Sequence, residues 1–199
     1  MRLFLIRHPK PNVATGTCYG QTDLDLAEGW EIQAEALKNW LSNRLQGQTC
    51  FQHSPLKRAS SLGDYLHNQS SIEHELVELN FADWEGLLWK DIPHNQIEAW
   101  GSDLEFSAPF NGESLNELRQ RLSVWWTHQQ NQSFDNLVVV THSGVIKVLV
   151  SMLCGWPMNK SYLIDVGFCS VTELSIQRGS SAQDAYIMLK RLGAGDWVM

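Results

Sequence analysis

Leu137-Val138-Val139-Val140-Thr141-His142-Ser143-Gly144 is the stretch that decides the fold. Its first five residues are apolar or β-branched, the pattern of a strand buried on both faces. The run ends in a histidine and a small turn. Val145 to Leu153 then reads as a buried helix that stops near Gly155. The N-terminus repeats the device, since the apolar strand Arg2 to Arg7 (Arg-Leu-Phe-Leu-Ile-Arg) runs directly into His8. Thr49 to His53 is a third short strand, followed by Ser54-Pro55, which looks like a helix start with serine as N-cap and proline in the first helical position. That helix carries Arg58 in its first turn and reaches about His67. Strands alternating with helices predict an α/β domain.

The remaining elements are consistent with this pattern. Apolar residues at Ala27, Trp30, Ala34, Leu37, Leu41 and Leu45 have helical spacing. Leu115, Leu118, Leu122 and Trp125 mark another helix after the Asn111-Gly112 turn, and a short one follows Pro93. Ile72 to Trp89 reads as extended and irregular. Two late strands, Cys169 to Ile176 and Ala185 to Leu192, flank a Gly-Ser-Ser turn. Pro9 to Asp25, with two prolines and two glycines, is a loop of a length that is usually functional or disordered. No repeat or linker divides the chain, so a single domain over residues 1–199 is expected.

Composition narrows the function. With 15 Lys+Arg against 22 Asp+Glu the formal charge is −7, which weighs against nucleic acid as a main partner but leaves room for an anionic substrate held by clustered arginines. No apolar run approaches the roughly 20 residues that span a bilayer, so no membrane partner is expected. Four scattered cysteines (Cys18, Cys50, Cys154, Cys169) suit a cytoplasmic protein with free thiols. Nothing in the sequence sets an oligomeric state.

His8 and His142 each follow a strand, and in open α/β sheets ligands bind at the strands' carboxyl ends. Arg7 and Arg58 can converge there. Two guanidiniums match phosphate oxygens, and a neutral imidazole between them is a nucleophile that needs no proton removed. Any one histidine alone would read as structural; two with two arginines point to phosphate chemistry. There is no phosphate-binding P-loop, no nucleophile elbow and no zinc helix. A glycosidase-like pair of Glu78 with Asp83 or Glu85 would leave both histidines unexplained. Trp125 and Trp126 read as packing, whereas Trp84 and Trp89 read equally as packing or as a substrate mouth.

Arg7-His8, Ser54-Pro55-Leu56-Lys57-Arg58-Ala59, Trp84-Glu85-Gly86, Gly112-Glu113-Ser114 and Thr141-His142-Ser143-Gly144 follow in order across almost the whole chain. Together they resemble the histidine phosphatase (phosphoglycerate mutase-like) superfamily. Arg7-His8-Pro9-Lys10-Pro11 and Cys18-Tyr19-Gly20-Gln21-Thr22-Asp23 resemble its α-ribazole phosphatase branch. The resemblance implies a three-layer α/β/α sandwich with a mostly parallel central sheet. It makes His8 the phosphorylated nucleophile and Arg7, Arg58 and a protonated His142 the phosphate pocket. Backbone donors from Ser143 and Gly144, with Asn12, Gln21 and Thr22, would complete that pocket. Glu78 is assigned as proton donor, with Glu85 as the competing candidate whose other role is to fasten its loop.

The implied reaction is hydrolysis of a phosphorylated small molecule, α-ribazole 5′-phosphate of cobalamin biosynthesis, without metal or cofactor. A broad-specificity phosphatase, a mutase and a non-catalytic phosphate-binding module are the alternatives. The chain departs from the family at Pro9 and Ala82, where glycine is common, and in a shortened nucleophile loop.

Overall fold

Residues 2–7 form the central strand of the computed structural model, which describes residues 1–177, 179 and 185–195. Strand β1 (Arg2–Arg7) is followed by α1 (Trp30–Ser42), β2 (Thr49–His53), α2 (Lys57–Leu66), the two-residue β3 (Ser71–Ile72), α3 (His94–Ser102), α4 (Leu115–Gln130), β4 (Asn136–Thr141), α5 (Ser143–Cys154), β5 (Val171–Gln177) and β6 (Tyr186–Ala194). The six strands lie in the order β3-β2-β4-β1-β5-β6. The β3–β2, β2–β4 and β4–β1 pairs are parallel, and β5 runs antiparallel to both β1 and β6. The sheet is therefore mostly parallel, as expected.

Alternation along the strands builds two cores. Leu3, Leu5, Leu137 and Val139 pack with α4 and α5 through Leu118, Leu122, Trp125, Ile146 and Leu149. Their neighbours Phe4, Ile6, Val138 and Val140 pack with α1 and α2 through Ala34, Leu37, Ala59 and Leu62. A sheet buried on both faces between two helical layers explains the continuous apolar runs of β1 and β4. Each fully buried aliphatic side chain contributes about 1.5–3 kcal/mol. Trp125 and Trp126 are core residues; the Trp125 indole donates to Gln52 Oε1 at 3.0 Å.

The starts of α1 and α2 differ from expectation. Helix α1 starts at Trp30 rather than Ala27, because Gly29 is left-handed (φ 79°) and ends the preceding loop. Helix α2 starts at Lys57 with an extended Leu56 before it, so Ser54 is not its N-cap and Pro55 is not its first residue. Gly155 ends α5 in the left-handed conformation, as its position suggested. The Gly-Ser-Ser turn after β5 falls for the most part outside the described residues.

The long loop after β1 is tied down, not loose. Pro11 bridges to Leu26 and Thr17 to Leu88, Cys18 N donates to Leu87 O at 2.8 Å, and Gly86 N donates to Cys18 O at 2.9 Å. Across from it, Ala82 takes φ 43°, a left-handed conformation at the position where glycine is common in the family. That conformation costs an L-residue about 1–2 kcal/mol, whereas glycine adds only about 0.4–1 kcal/mol of unfolded-chain entropy. Ala82→Gly is thus expected to raise the melting temperature by about 1–3 °C. A lower melting temperature in a thermal scan would show that the backbone here is not strained.

Candidate active site

The β1–β4 register pairs Arg7 with Thr141, so the next residues, His8 and His142, emerge at the same level. His8 N donates to Thr141 O at 2.9 Å, and the two imidazole centroids are 5.1 Å apart. One strand over, His53 pairs with Val140 and Ser54 N donates to Val140 O at 3.0 Å, which brings α2 and Arg58 to the same edge.

His8 Nδ1 lies 2.6 Å from the carbonyl of Pro9. A carbonyl only accepts, so Nδ1 carries the proton and Nε2 is left with a bare lone pair. Arg58 Nε donates to that nitrogen at 3.3 Å. The other arms of Arg58 are committed to loop carbonyls, Nη1 to Thr22 O at 2.8 Å and Nη2 to Gly20 O at 2.5 Å. Arg7 donates through Nη1 to Val166 O at 2.6 Å and stacks its guanidinium 3.8 Å over the Phe168 ring, while its buried Nε has no partner among the described residues. Burial, then the Arg58 charge and that of Arg7, hold His8 well below its usual range against the opposing pull of the Pro9 carbonyl. The imidazole is neutral, as a nucleophile requires.

His142 is pushed down as well, by burial first and then by His8, Arg58, Arg121 and Arg7. Without ligand, burial and these charges hold His142 neutral, so the protonated form expected in the phosphate pocket would have to arise with the bound phosphoryl group. Both imidazoles take up protons in the unfolded chain below about pH 6.5 but not in the folded one. Stability should accordingly fall as pH drops through 6.5, while the acid limb of kcat/KM lies well below 6.5. A limb centred at 6.5 in a pH–rate profile would contradict the buried, neutral pair.

Glu78 faces the same space. Its Oε1 accepts from Leu79 N at 2.9 Å and its Oε2 from Gly144 N at 3.1 Å, so the carboxylate occupies the N-terminus of α5, a favourable place for an anion. The Gly144 N–H expected to hold phosphate is thereby taken. The peptide of Glu78 is fixed from behind: its carbonyl accepts from Gln21 Nε2 at 3.0 Å and Arg121 Nη2 at 3.2 Å. Arg121 pairs with Glu113 at 2.7 Å, and Glu113 N donates to Asn80 O at 2.8 Å. The Gly112-Glu113-Ser114 motif thus braces the segment that carries Glu78, and Ser114 caps α4 in a capping box with Glu117.

Glu85 fastens its loop and is not in the wall of the cavity that Glu78 faces. Burial pushes its carboxyl up, but donors from Thr22 (side chain and backbone), Gln21 and Phe81 together bring it below the ordinary value. Gln21 and Thr22 therefore serve Glu85 and Arg58, and do not line the cavity. Asn12 is exposed, its N–H bonded to Asp25 O at 2.8 Å, and is likewise away from the site.

Arg7, His8 and Glu78 open onto a cavity of about 280 Å³, with Ser143, Gly144 and Lys147 also in its wall, while Arg58 and His142 are buried behind it. Tyr19, Phe81, Trp89, Trp100 and Tyr162 supply an aromatic rim. Trp84 does not: it is buried with Cys18 and Ile92, and its indole donates to Gln96 Oε1 at 2.7 Å. Lys147, missed in the sequence, sits one turn past Ser143 on the same face of α5, a spacing that could have revealed it. Burial and Arg7 lower its pKa, against Glu78 and Asp165.

The sequence matches the model of the histidine phosphatase superfamily (branch 1) over residues 3–186. The chain belongs to that superfamily. It is 30% identical over 167 residues to the adenosylcobalamin/alpha-ribazole phosphatase of Salmonella typhi, covering 79% of this chain and 81% of the relative. The superfamily fold is evident in the alpha-ribazole phosphatase structure from Shigella flexneri, with a TM-score of 0.83 and 25% identity over 98% of this chain and 96% of that one. A mycobacterial glucosyl-3-phosphoglycerate phosphatase is as similar, with a TM-score of 0.82 and 26% identity over 97% and 98% of the chains.

A methyl group on Gly144 would lie 2.5 Å from Glu78 Oε1. Alanine gains about 1 kcal/mol of helix propensity over glycine, so Gly144→Ala should leave stability nearly unchanged. Displacing the carboxylate should still lower kcat by about 10- to 100-fold, within the range general acids supply. Wild-type turnover in this variant would show that the position of Glu78 is immaterial.

Proposed function

We propose that this phosphatase cleaves phosphomonoesters through a phosphohistidine on His8, and that its substrate is α-ribazole 5′-phosphate. The observation that carries the mechanism is the bare Nε2 of His8 opening onto the same cavity as Glu78. Glu78 takes up the proton of the substrate's monoanion on binding; Nε2 then attacks phosphorus, the P–O bond to the leaving group breaks, and Glu78 passes that proton to the departing oxygen. Water then attacks the phosphohistidine, giving its proton to the same carboxylate as phosphate leaves His8. Arg58, now on His8 Nε2, shifts to the phosphoryl oxygens together with Arg7 and offsets their charge. Side-chain cations suffice, so the reaction needs no metal.

Support for the aromatic substrate comes from the rim of Tyr19, Phe81, Trp89 and Trp100 and from the likeness to alpha-ribazole phosphatases. A flat benzimidazole on a ribose suits such a rim, and stacking it is worth on the order of 1–3 kcal/mol, one to two decades in kcat/KM. A second reading, acidic monoesters of the phosphoglycerate type, is favoured by Lys147, whose ammonium faces the cavity without a hydrogen bond or ion pair among the described residues.

Rapid quenching with labelled substrate at alkaline pH should trap acid-labile phosphate on His8, and His8→Ala should abolish both label and turnover. Glu78→Gln should slow cleavage of alkyl phosphates far more than of an activated aryl phosphate, since only the former need the proton; a uniform loss would remove Glu78 from that role. For substrate, kcat/KM for α-ribazole 5′-phosphate should exceed that for 3-phosphoglycerate by about 10- to 100-fold. The reverse order, erased by Lys147→Met, would establish the acidic reading instead.

A further inference from the structure

Ser54 directly follows β2, and its hydroxyl is not used to cap α2. Its Oγ lies 2.7 Å from Nε2 of His142, and both residues are fully buried. The hydroxyl has one proton, and hydrogen-bond accounting places it. Leu56 N, 3.4 Å away, can only donate, so Oγ accepts there. The only acceptor that the structure gives the hydroxyl among the described residues is His142 Nε2. If the Ser54 proton points to Nε2, that nitrogen is bare, and a neutral imidazole then carries its hydrogen on Nδ1.

Nδ1 of His142 is buried and has no partner among the described residues. In the opposite tautomer, Nε2 would donate to Ser54, and both the serine proton and the Nδ1 lone pair would be left unpaired. One orphan is better than two. That remaining orphan is an N–H donor next to His8, where the mechanism puts a phosphoryl group.

We propose that Ser54 is a positioning residue: it holds His142 as the neutral Nδ1–H tautomer, keeping a donor in reserve for an oxygen of the phosphoryl group transferred to His8. The use of the donor rests on the phosphatase reading; the tautomer rests on hydrogen bonding alone. The groups that face His142 are His8, Arg58, Arg121 and Arg7. None of them changes when Ser54 is replaced, so an altered titration would be the hydroxyl's own effect. Donation from Ser54 occupies the Nε2 lone pair and opposes its protonation.

Nitrogen-15 NMR of the histidine rings in the ligand-free protein tests this directly. In the wild type, His142 should show a protonated Nδ1 and a bare Nε2, with the Nδ1 signal shifting when vanadate is added. Ser54→Ala should mix the tautomers, lower kcat about tenfold or more with KM little changed, and move the acid limb of the pH profile upward. Ser54→Thr, which keeps the hydroxyl, should restore the tautomer and most of the turnover. A protonated Nε2 in the wild type overturns the proposal even if Ser54→Ala fails to fold. So does a Ser54→Ala variant with wild-type turnover and pH profile. If the tautomer is as expected but no phosphate is trapped on His8, the phosphatase reading has failed and the role of Ser54 in setting the tautomer has not.

Discussion

Arg7 lies opposite Thr141, and Val140 lies opposite His53; two parallel ladders hold three strand ends level. A side chain leaves a strand with a fixed direction, and a slip of one residue turns every side chain to the other face. The apolar alternation that separates Leu3 and Leu5 from Phe4 and Ile6 makes such a slip prohibitive, because it would exchange the contents of two cores. Packing thus sets where His8, Ser54 and His142 meet, and chemistry uses a placement that hydrophobic burial has already determined.

Around that fixed row, polar groups are held by second partners. Arg58 is clamped by Gly20 and Thr22, whose loop is clamped by Glu85; Glu78 is held by Gly144 and Leu79 and braced through Arg121 and Glu113. Arg58 and Glu78 are buried, and each costs free energy unless its partners are in place. Such chains of dependence keep a cavity rich in cations from collapsing or misorienting before a substrate arrives.

Much of this was legible in the residues. Continuous apolar runs ending in histidine located β1, β4 and both imidazoles, and Arg58 was placed in the first turn of α2. The Ser54 error is instructive: Ser-Pro before a helix has the form of a cap, but the hydroxyl had a stronger partner 88 residues away in His142. Gln21, Thr22 and Asn12 depart from expectation for a related reason, and the open choice at Trp84 falls to packing. Local sequence gives the type of a polar or aromatic residue, whereas its partner comes from another part of the chain. Lys147 was overlooked because a lone lysine within an apolar helix carries no pattern until its face is known to open onto a cavity.

Phe81, Trp89, Trp100 and Leu104 reach the cavity from residues 81–104, a stretch that follows Glu78 and contributes no strand to the sheet. The reacting groups come from the ends of β1 and β4 and from Glu78, in the irregular stretch after β3. Substitution of those four side chains, with Glu78 and Glu85 kept, can therefore reshape what the cavity admits while the row of His8, Ser54 and His142 is undisturbed. The molecule separates what it does to a phosphate from which phosphate it accepts, and the second property is free to drift between lineages at little cost to the first.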